Sequence, residues 1–209
     1  MSLSIRPERE IDFTEIYDLV RDAFATVEAS EGDEQDFVVS MRGHPGYIPS
    51  LALVAERCGE LAGYVMLTQT HIEGPQGGPP VLLLAPLCVS PKRQSRGVGA
   101  ALMREAFRRA VELGYDAVFL AGNPKYYRRF GFRPTMEFGI RHSMPVPDKY
   151  IMVKELVSGA LSSREGTILL TGHTTCATAI PPPEKKHECR EKTGFCCPAG
   201  SHSCCHGED

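Results

Sequence analysis

The residues with the clearest chemical potential lie in Leu87–Met103, in the middle of the chain. In this stretch an apolar segment ending at Val89 is followed by a basic loop and by a helical pattern that begins at Gly97. Gly97 and Gly99 permit close approach of the backbone, and a helix N-terminus presents unpaired N–H groups with a partial positive charge. The stretch therefore predicts an anion site, for which a phosphate group is the natural ligand.

Two familiar phosphate-binding motifs do not fit this stretch. A dinucleotide-binding motif needs a third glycine where Leu102 stands, and it needs a tight turn where seven residues separate Val89 from Gly97. The lysine-containing phosphate loop of nucleotide hydrolases is absent too. A different kind of phosphate site is expected.

Charge is distributed unevenly along the chain. The formal net charge is −3, but residues 91–133 hold ten basic and three acidic side chains, so this block carries +7 and the rest −10. A solvated helix face would account for about half of these charges. A local basic block in an acidic chain suits a small polyanion such as a nucleotide-like cofactor, and we expect no nucleic-acid partner.

The elements that must position these residues follow from hydrophobic periodicity. The predicted helices are Asp12–Val27, with Asp12 as cap and Glu15 three residues on, then Asp33–Met41, Gly97–Leu113 and Pro124–Arg129. The predicted strands are Leu51–Glu56 and Leu61–Ile72, joined by a turn at Cys58-Gly59-Glu60, then Val81–Val89, Ala117–Ala121 and Tyr150–Val157. This order predicts an α/β (α+β) fold with one mixed, mostly antiparallel sheet flanked by helices.

Two motifs in this frame resemble those of one enzyme family. Gln94-Ser-Arg-Gly97-Val-Gly99 resembles motif A of the GNAT superfamily of N-acetyltransferases, which is a strand followed by Gln/Arg-x-x-Gly-x-Gly/Ala. Downstream, Tyr126-Tyr127-Arg-Arg-Phe-Gly131-Phe132 resembles the family's Tyr-x-x-x-Gly-Phe element. The resemblance covers roughly residues 3–157. It implies the acyl-CoA N-acyltransferase fold with splayed central strands, and acetyl-CoA as the acyl donor without a metal.

The resemblance also implies how coenzyme A would be held. Proline cannot donate in a strand ladder, so we expect Pro86 to interrupt strand 81–89 and to splay it from strand 117–121. The backbone of the segment after Pro86 would pair with the pantetheine amides, and an amide N–H near Leu87 would stabilise the developing oxyanion. The expected cofactor-binding residues are Leu87, Cys88, Val89, Gln94, Ser95, Arg96, Gly97, Val98, Gly99, Ala100 and Asn123.

Acetyl transfer to an amine needs a proton donor for the departing thiolate and a neutral amine. In the family a tyrosine is the general acid, and Tyr127 stands at the matching position, with Tyr126 as the substitute and a packing role as the alternative for either. The general base is open, because strand 81–89 has neither carboxylate nor histidine. The candidates, each of which would otherwise be an ordinary surface residue, are Glu34, His44, His71 and Glu73. An amine of low pKa would need no strong base.

We therefore expect an N-acetyltransferase in which a primary amine, on a small molecule or a peptide, attacks the thioester directly. Cys88 lies in mid-strand and is not expected to be a covalent nucleophile. The acidic segment Glu28–Asp36 favours a cationic acceptor, and a polyamine, an aminoglycoside, an amino acid and a protein N-terminus or lysine all stay open. The main alternative is a non-catalytic acyl-CoA sensor of the same fold.

The cysteines divide the chain. Of eight, six lie in the last 34 residues, beyond the reach of the family resemblance. We predict an acetyltransferase domain over 1–157, an extension over 158–175 and a Cys/His-rich, disordered tail over 176–209. A metal-binding or interaction role of this tail is a third hypothesis. It predicts metal in the purified protein and its loss on truncation near residue 175.

The start of the sequence does not read as a signal peptide, and the longest apolar run has nine residues where a membrane helix needs about 20. We expect a cytoplasmic protein with no membrane partner, as a monomer or homodimer.

Overall fold

A seven-stranded sheet forms the centre of the computed structural model, which describes residues 3–27, 30 and 32–170. In order across the sheet, its strands are β1 (Ser4–Pro7), β2 (Tyr47–Arg57), β3 (Glu60–Thr70), β5 (Val81–Val89), β6 (Ala117–Ala121), β9 (Ile151–Glu155) and β7 (Arg133–Pro134). Neighbours are antiparallel except β5 and β6, which are parallel. The predicted mixed, mostly antiparallel sheet is confirmed.

Helices cover both faces of this sheet. The helices are α1 (Phe13–Phe24), α2 (Glu34–Met41), α3 (Val98–Glu112) and the short α4 (Pro124–Tyr127). Alternate residues of a strand point to opposite faces. Tyr64 and Met66 of β3 pack in one core cluster with α1 and α2, whereas Val65 and Leu67 pack in a second cluster with α3. Among the described residues no helix is long and apolar enough to cross a membrane.

A second, three-stranded sheet was not predicted. It consists of β4 (Ile72–Gln76), β10 (Glu165–Ile168) and β8 (Ile140–His142) in that order. β10 lies beyond the predicted boundary at residue 157, and the buried Arg164 just before it forms an ion pair with Asp116. Residues 158–170 are thus joined to the main sheet, while the Cys/His-rich segment 176–209 lies outside the described residues.

The entry to α1 differs from the prediction. Asp12 does not cap the helix with its side chain. Instead its carboxylate accepts two hydrogen bonds from the Arg6 guanidinium, at 2.6 and 3.0 Å, and one from the Arg9 backbone N–H at 2.8 Å. Glu15 accepts a hydrogen bond from the Leu61 N–H of β3. Both carboxylates connect α1 to strands, and the Arg6 pair lowers the pKa of Asp12 to about 2.

The central strands separate near Pro86. The prediction that the proline interrupts the strand is wrong, because β5 runs continuously from Val81 to Val89. The missing N–H is accommodated by a register shift in the pairing with β3, between Val65 and Leu67. β5 pairs with β6 at two positions near its start, Leu82 with Val118 and Leu83 with Phe119, and then continues along β3. The predicted splay of the central strands is confirmed.

Candidate active site

A cavity of about 500 Å³ lies where β5 ends and α3 begins. Three elements form its wall: the last residues of β5, the loop and first turn of α3, and the α4 region. Its lining residues are Leu87, Cys88, Val89, Gln94, Ser95, Gly97, Val98, Gly99, Ala100, Tyr126 and Arg129. The cavity therefore combines a strand end, a helix N-terminus and a cation.

The N-terminus of α3 is open toward this cavity. Gly97 is its N-cap, in a left-handed conformation at φ +80°, and it has no side chain with which to cap the first turn. Gly99 allows close approach, since a Cβ there would lie 3.2 Å from the Tyr126 hydroxyl and 3.4 Å from a methyl carbon of Val89. Backbone N–H groups at such a terminus attract anions.

Nine of the eleven predicted cofactor-binding residues line the cavity. They are Leu87, Cys88, Val89, Gln94, Ser95, Gly97, Val98, Gly99 and Ala100. The other two, Arg96 and Asn123, are not among the lining residues: Arg96 is exposed, and Asn123 caps α4 by accepting a hydrogen bond from the Lys125 N–H at 2.9 Å. Contact of these residues with a ligand stays a prediction.

The two adjacent tyrosines occupy different environments. Tyr126 lines the cavity, whereas Tyr127, the predicted general acid, is fully buried in the core on the α3 side of the sheet. The ring of Tyr127 fills the space that a side chain at Gly122, just after β6, would need. The sequence predicts Tyr126 as the substitute for Tyr127 and predicts no binding role for it.

Arg129 is a lining residue that the sequence interpretation missed. Its guanidinium lies over the rings of Tyr126 and Phe130, 4.2 and 4.8 Å from their centroids. A usable signal was present, because residues three apart on a helical turn are neighbours and Arg129 follows Tyr126 by three. Its membership in a long basic block concealed this pairing.

The basic block divides into paired and unpaired side chains. Four of its arginines form ion pairs: Arg93 with Glu60, Arg108 and Arg109 with Glu105, and Arg133 with Glu137. Arg108 and Arg109 lower the pKa of Glu105 to about 2. Over residues 3–27, 30 and 32–170, no ion pair joins an acid to the other six, which are Lys92, Arg96, Arg104, Lys125, Arg128 and Arg129.

One of the four candidate bases is buried. His44, His71 and Glu73 are exposed, as expected of surface residues. Glu34 is 1% exposed, and it accepts a hydrogen bond of 2.7 Å from the Ser30 hydroxyl. It lies on the buried face of α2, which packs Phe37, Val38 and Met41 into the core cluster that contains Ala85, Cys88 and Ala121 of β5 and β6.

A buried polar network fixes the end of α2. Arg42, just after this helix, forms a 3.0 Å ion pair with Glu8, and the Tyr47 hydroxyl donates a 2.6 Å hydrogen bond to the same carboxylate. The Arg42 guanidinium also lies 3.7 Å from the centroid of the Phe13 ring. Burial and the Glu8 charge raise the pKa of Tyr47. The network joins α2 to α1, β2 and the segment after β1.

No group of three or more His, Cys, Asp or Glu side chains that would suit a metal ion occurs in the described part of the chain. Cys58 is an exposed thiol and Cys88 a buried one. The six remaining cysteines lie outside the described residues.

The chain matches known proteins over most of this fold. The family model of the acetyltransferase (GNAT) domain matches residues 4–135. The uncharacterized N-acetyltransferase YjhQ of Escherichia coli K12 is 31% identical over 148 residues, which are 69% of this chain and 78% of that protein.

Two solved structures resemble the fold. The GNAT family N-acetyltransferase YhbS from Escherichia coli, in complex with CoA, has a TM-score of 0.69 at 28% identity. The match covers 79% of this chain and 88% of the YhbS chain. A GNAT family acetyltransferase from Brucella melitensis, in complex with acetyl-CoA, has a TM-score of 0.67 at 26% identity. The match covers 83% of this chain and 99% of the Brucella chain. With the splayed strands and the open helix N-terminus, these matches show that the chain belongs to the GNAT family of acetyltransferases.

Proposed function

We propose that this protein transfers an acetyl group from acetyl-CoA to a primary amine by direct attack of the amine on the thioester. The observation that carries the proposal is the cavity that joins the end of β5 to the open N-terminus of α3. The related structures from Escherichia coli and Brucella melitensis were solved with CoA and acetyl-CoA. We therefore take acetyl-CoA as the cosubstrate of this chain as well.

The cavity wall suits the two chemically different parts of that donor. The first-turn amides of α3, from Val98 to Ala100, would hold phosphate oxygens. Leu87–Val89 continue beyond the short pairing of β5 with β6. Their backbone would hydrogen-bond the pantetheine amides, as an added strand does. An N–H near Leu87 would then stabilise the negative charge that develops on the carbonyl oxygen during attack.

Tyr127 is our candidate for the general acid. The amine nitrogen forms the new C–N bond while the C–S bond breaks, and Tyr127 would give its hydroxyl proton to the departing sulfur. Its ring lies against Gly122, at the end of β6 and beyond the point where β5 and β6 cease to pair. Tyr126 is less suitable, because its hydroxyl lies near Gly99 at the phosphate end of the cavity.

Glu34 is our candidate for the base that accepts the proton of the amine. It is the buried member of the four candidates, and its α2 neighbours Phe37, Val38 and Met41 belong to the same core cluster as Ala85 and Ala121. A carboxylate in this position would also attract a cationic amine to the α1–α2 side of the sheet. The cationic amine would belong to a small molecule or to a peptide. A cytoplasmic location and a monomeric or homodimeric state stay predictions.

A screen for acetyl-CoA consumption over a panel of amines tests the proposed function. The panel would contain polyamines, aminoglycosides, amino acids and peptides with free N-termini or lysines, with Tyr127→Phe as the control enzyme. We expect at least one amine to be acetylated by the native protein and more slowly by the variant. Tight CoA binding without turnover of any amine would instead favour the acyl-CoA sensor.

A further inference from the structure

Arg129 is a cation whose observed partners are aromatic rings. Its guanidinium stacks over Tyr126 and Phe130, and no carboxylate of the described residues forms an ion pair with it. Stacking on a ring face holds the guanidinium plane and leaves its N–H edges available. The charge of Arg129 is therefore held in place by rings rather than neutralised by an acid.

This cation lies on the wall of the anion cavity. Arg129 and Tyr126 line the same space as Gly97 and Gly99 at the start of α3. The Tyr126 hydroxyl is 3.2 Å from the position that a Cβ of Gly99 would take, so it lies beside the first turn of the helix. A phenol O–H in this position can donate to an oxygen atom that the first-turn amides also hold.

A guanidinium suits phosphate better than an ammonium does, because its planar fork offers two parallel N–H donors to two oxygens. A side chain already held by stacking also loses less rotamer freedom on binding. Arg128 and Arg129 are both exposed, but only Arg129 lines the cavity. Adjacent residues of the same type therefore differ in their relation to the site.

The geometry points to Arg129, stacked on Tyr126, as a binding residue for a phosphate group of the acyl donor, with the Tyr126 hydroxyl as a second donor to the phosphate at the helix N-terminus. This inference rests on the proposed use of acetyl-CoA. The phosphate is either the pyrophosphate or the 3′-phosphate, which carry the same chemistry and which ligand truncation can separate.

The test compares the affinities of CoA, 3′-dephospho-CoA and pantetheine for the full-length protein by calorimetry. The variants are Arg129→Ala, Arg129→Lys and Tyr126→Phe, with Arg128→Ala as the matched control. Charge-assisted hydrogen bonds to phosphate predict that Arg129→Ala weakens CoA binding about 10- to 100-fold. Arg129→Lys should lose less CoA affinity than Arg129→Ala, and Tyr126→Phe should bind CoA severalfold more weakly than the native protein. Arg128→Ala should bind CoA as the native protein does.

The truncated ligands distinguish the two phosphates. If Arg129→Ala weakens the binding of CoA but not of 3′-dephospho-CoA, the contact is with the 3′-phosphate. If it weakens the binding of both ligands, the contact is with the pyrophosphate. The inference is overturned if Arg129→Ala weakens the binding of CoA and of pantetheine equally. It is also overturned if Arg128→Ala and Arg129→Ala change the affinity for CoA by the same factor. Failure of the native protein to bind CoA would instead refute the proposed function. Thermal unfolding of each variant identifies any that fails to fold.

Discussion

The rings of Tyr126 and Tyr127 are in edge-to-face contact, with centroids 4.9 Å apart and planes at 82°, but the two side chains serve different parts of the molecule. Tyr126 lines the cavity beside the start of α3. Tyr127 is fully buried and also contacts the ring of Phe132 edge-on, at 5.6 Å. Consecutive residues of one short helix thus separate into a cavity wall and a core position.

This separation predicts different kinetic effects for the two hydroxyl deletions. Tyr127→Phe keeps the ring and its packing, so it should lower kcat about 100-fold through loss of the proton donor while leaving CoA affinity unchanged. Steady-state kinetics with any acceptor found in the screen, combined with calorimetry, measures both quantities. Tyr126→Phe is the matched control, which should weaken donor binding and have a smaller effect on kcat. A reversed pattern would assign the proton transfer to Tyr126.

The burial of Glu34 predicts a pH-dependent defect. Glu34→Gln removes the base, so at neutral pH kcat/KM for the acceptor should fall by about 100-fold or more. Raising the pH supplies more neutral amine from solution, so the defect should shrink as pH increases. The pH profile of kcat/KM for the two enzymes measures this convergence.

Asp36→Asn is the control for Glu34, because Asp36 lies two residues further along α2 but is exposed and accepts a 3.0 Å hydrogen bond from Tyr17. It should keep the native profile. A loss in Glu34→Gln that stays constant across the pH range would contradict a role as base and would leave Glu34 as a residue that supports α2.

Gly99 sets the distance between Tyr126 and the first turn of α3. Gly99→Ala would place a Cβ 3.2 Å from the Tyr126 hydroxyl, a contact tight enough to displace the phenol. We expect CoA affinity to fall severalfold. The free energy of unfolding should change little, because alanine is the better helix former but Gly99 lies in the first turn of α3, where the tight contact opposes this gain.

A double-mutant cycle tests this account of Gly99. If the steric contact is with the hydroxyl, Gly99→Ala should cost less affinity in a Tyr126→Phe background than in the native protein. Calorimetric CoA affinities of the four proteins give the coupling. Strict additivity would show that the alanine acts on the ligand directly rather than through Tyr126.

The sequence allowed prediction of the five central strands of the main sheet and of most of the cavity wall, because these depend on local signals, whereas the short edge strands β1 and β7 were not predicted. The glycine pair, the basic loop and the strand before them are contiguous, so their spacing alone brings nine predicted residues to the cavity. The burial of Glu34 depends instead on how α2 packs against other elements, which acidic composition does not reveal. The same holds for the Arg42–Glu8 pair, whose members are 34 residues apart.

The short strands of the second sheet were not predicted. β10 has the sequence EGTI and carries little periodicity. Its place in the fold depends on antiparallel pairing with β4, parallel pairing with β8, and the ion pair of Arg164 with Asp116. Pro86 shows a related limit: its missing N–H correctly predicted an irregularity, but β5 accommodates the proline by a register shift and remains continuous.

The pairing of Asp12 with Arg6 predicts how stability depends on pH. The pKa of Asp12 is lowered from 3.8 to about 2 by the Arg6 guanidinium and the other donors, against the opposing effect of burial. A carboxyl group whose pKa is lower in the folded state stabilises the protein above its unfolded pKa, and it loses this contribution as the pH falls through the folded value. The contribution corresponds to about 2 kcal/mol at neutral pH, and it should disappear between about pH 4 and pH 2.

Asp12→Asn should therefore lower the free energy of unfolding at pH 7, and the difference from the native protein should narrow as the pH falls from about 4 toward 2. Urea unfolding followed by circular dichroism at several pH values measures this. Asp22→Asn is the matched control, because the Asp22 carboxylate is 61% exposed beside Arg21, and exposed pairs contribute little. A gap between native and Asp12→Asn proteins that keeps its size throughout this range would mean that Asp12 stabilises α1 through packing or neutral hydrogen bonds rather than through its charge.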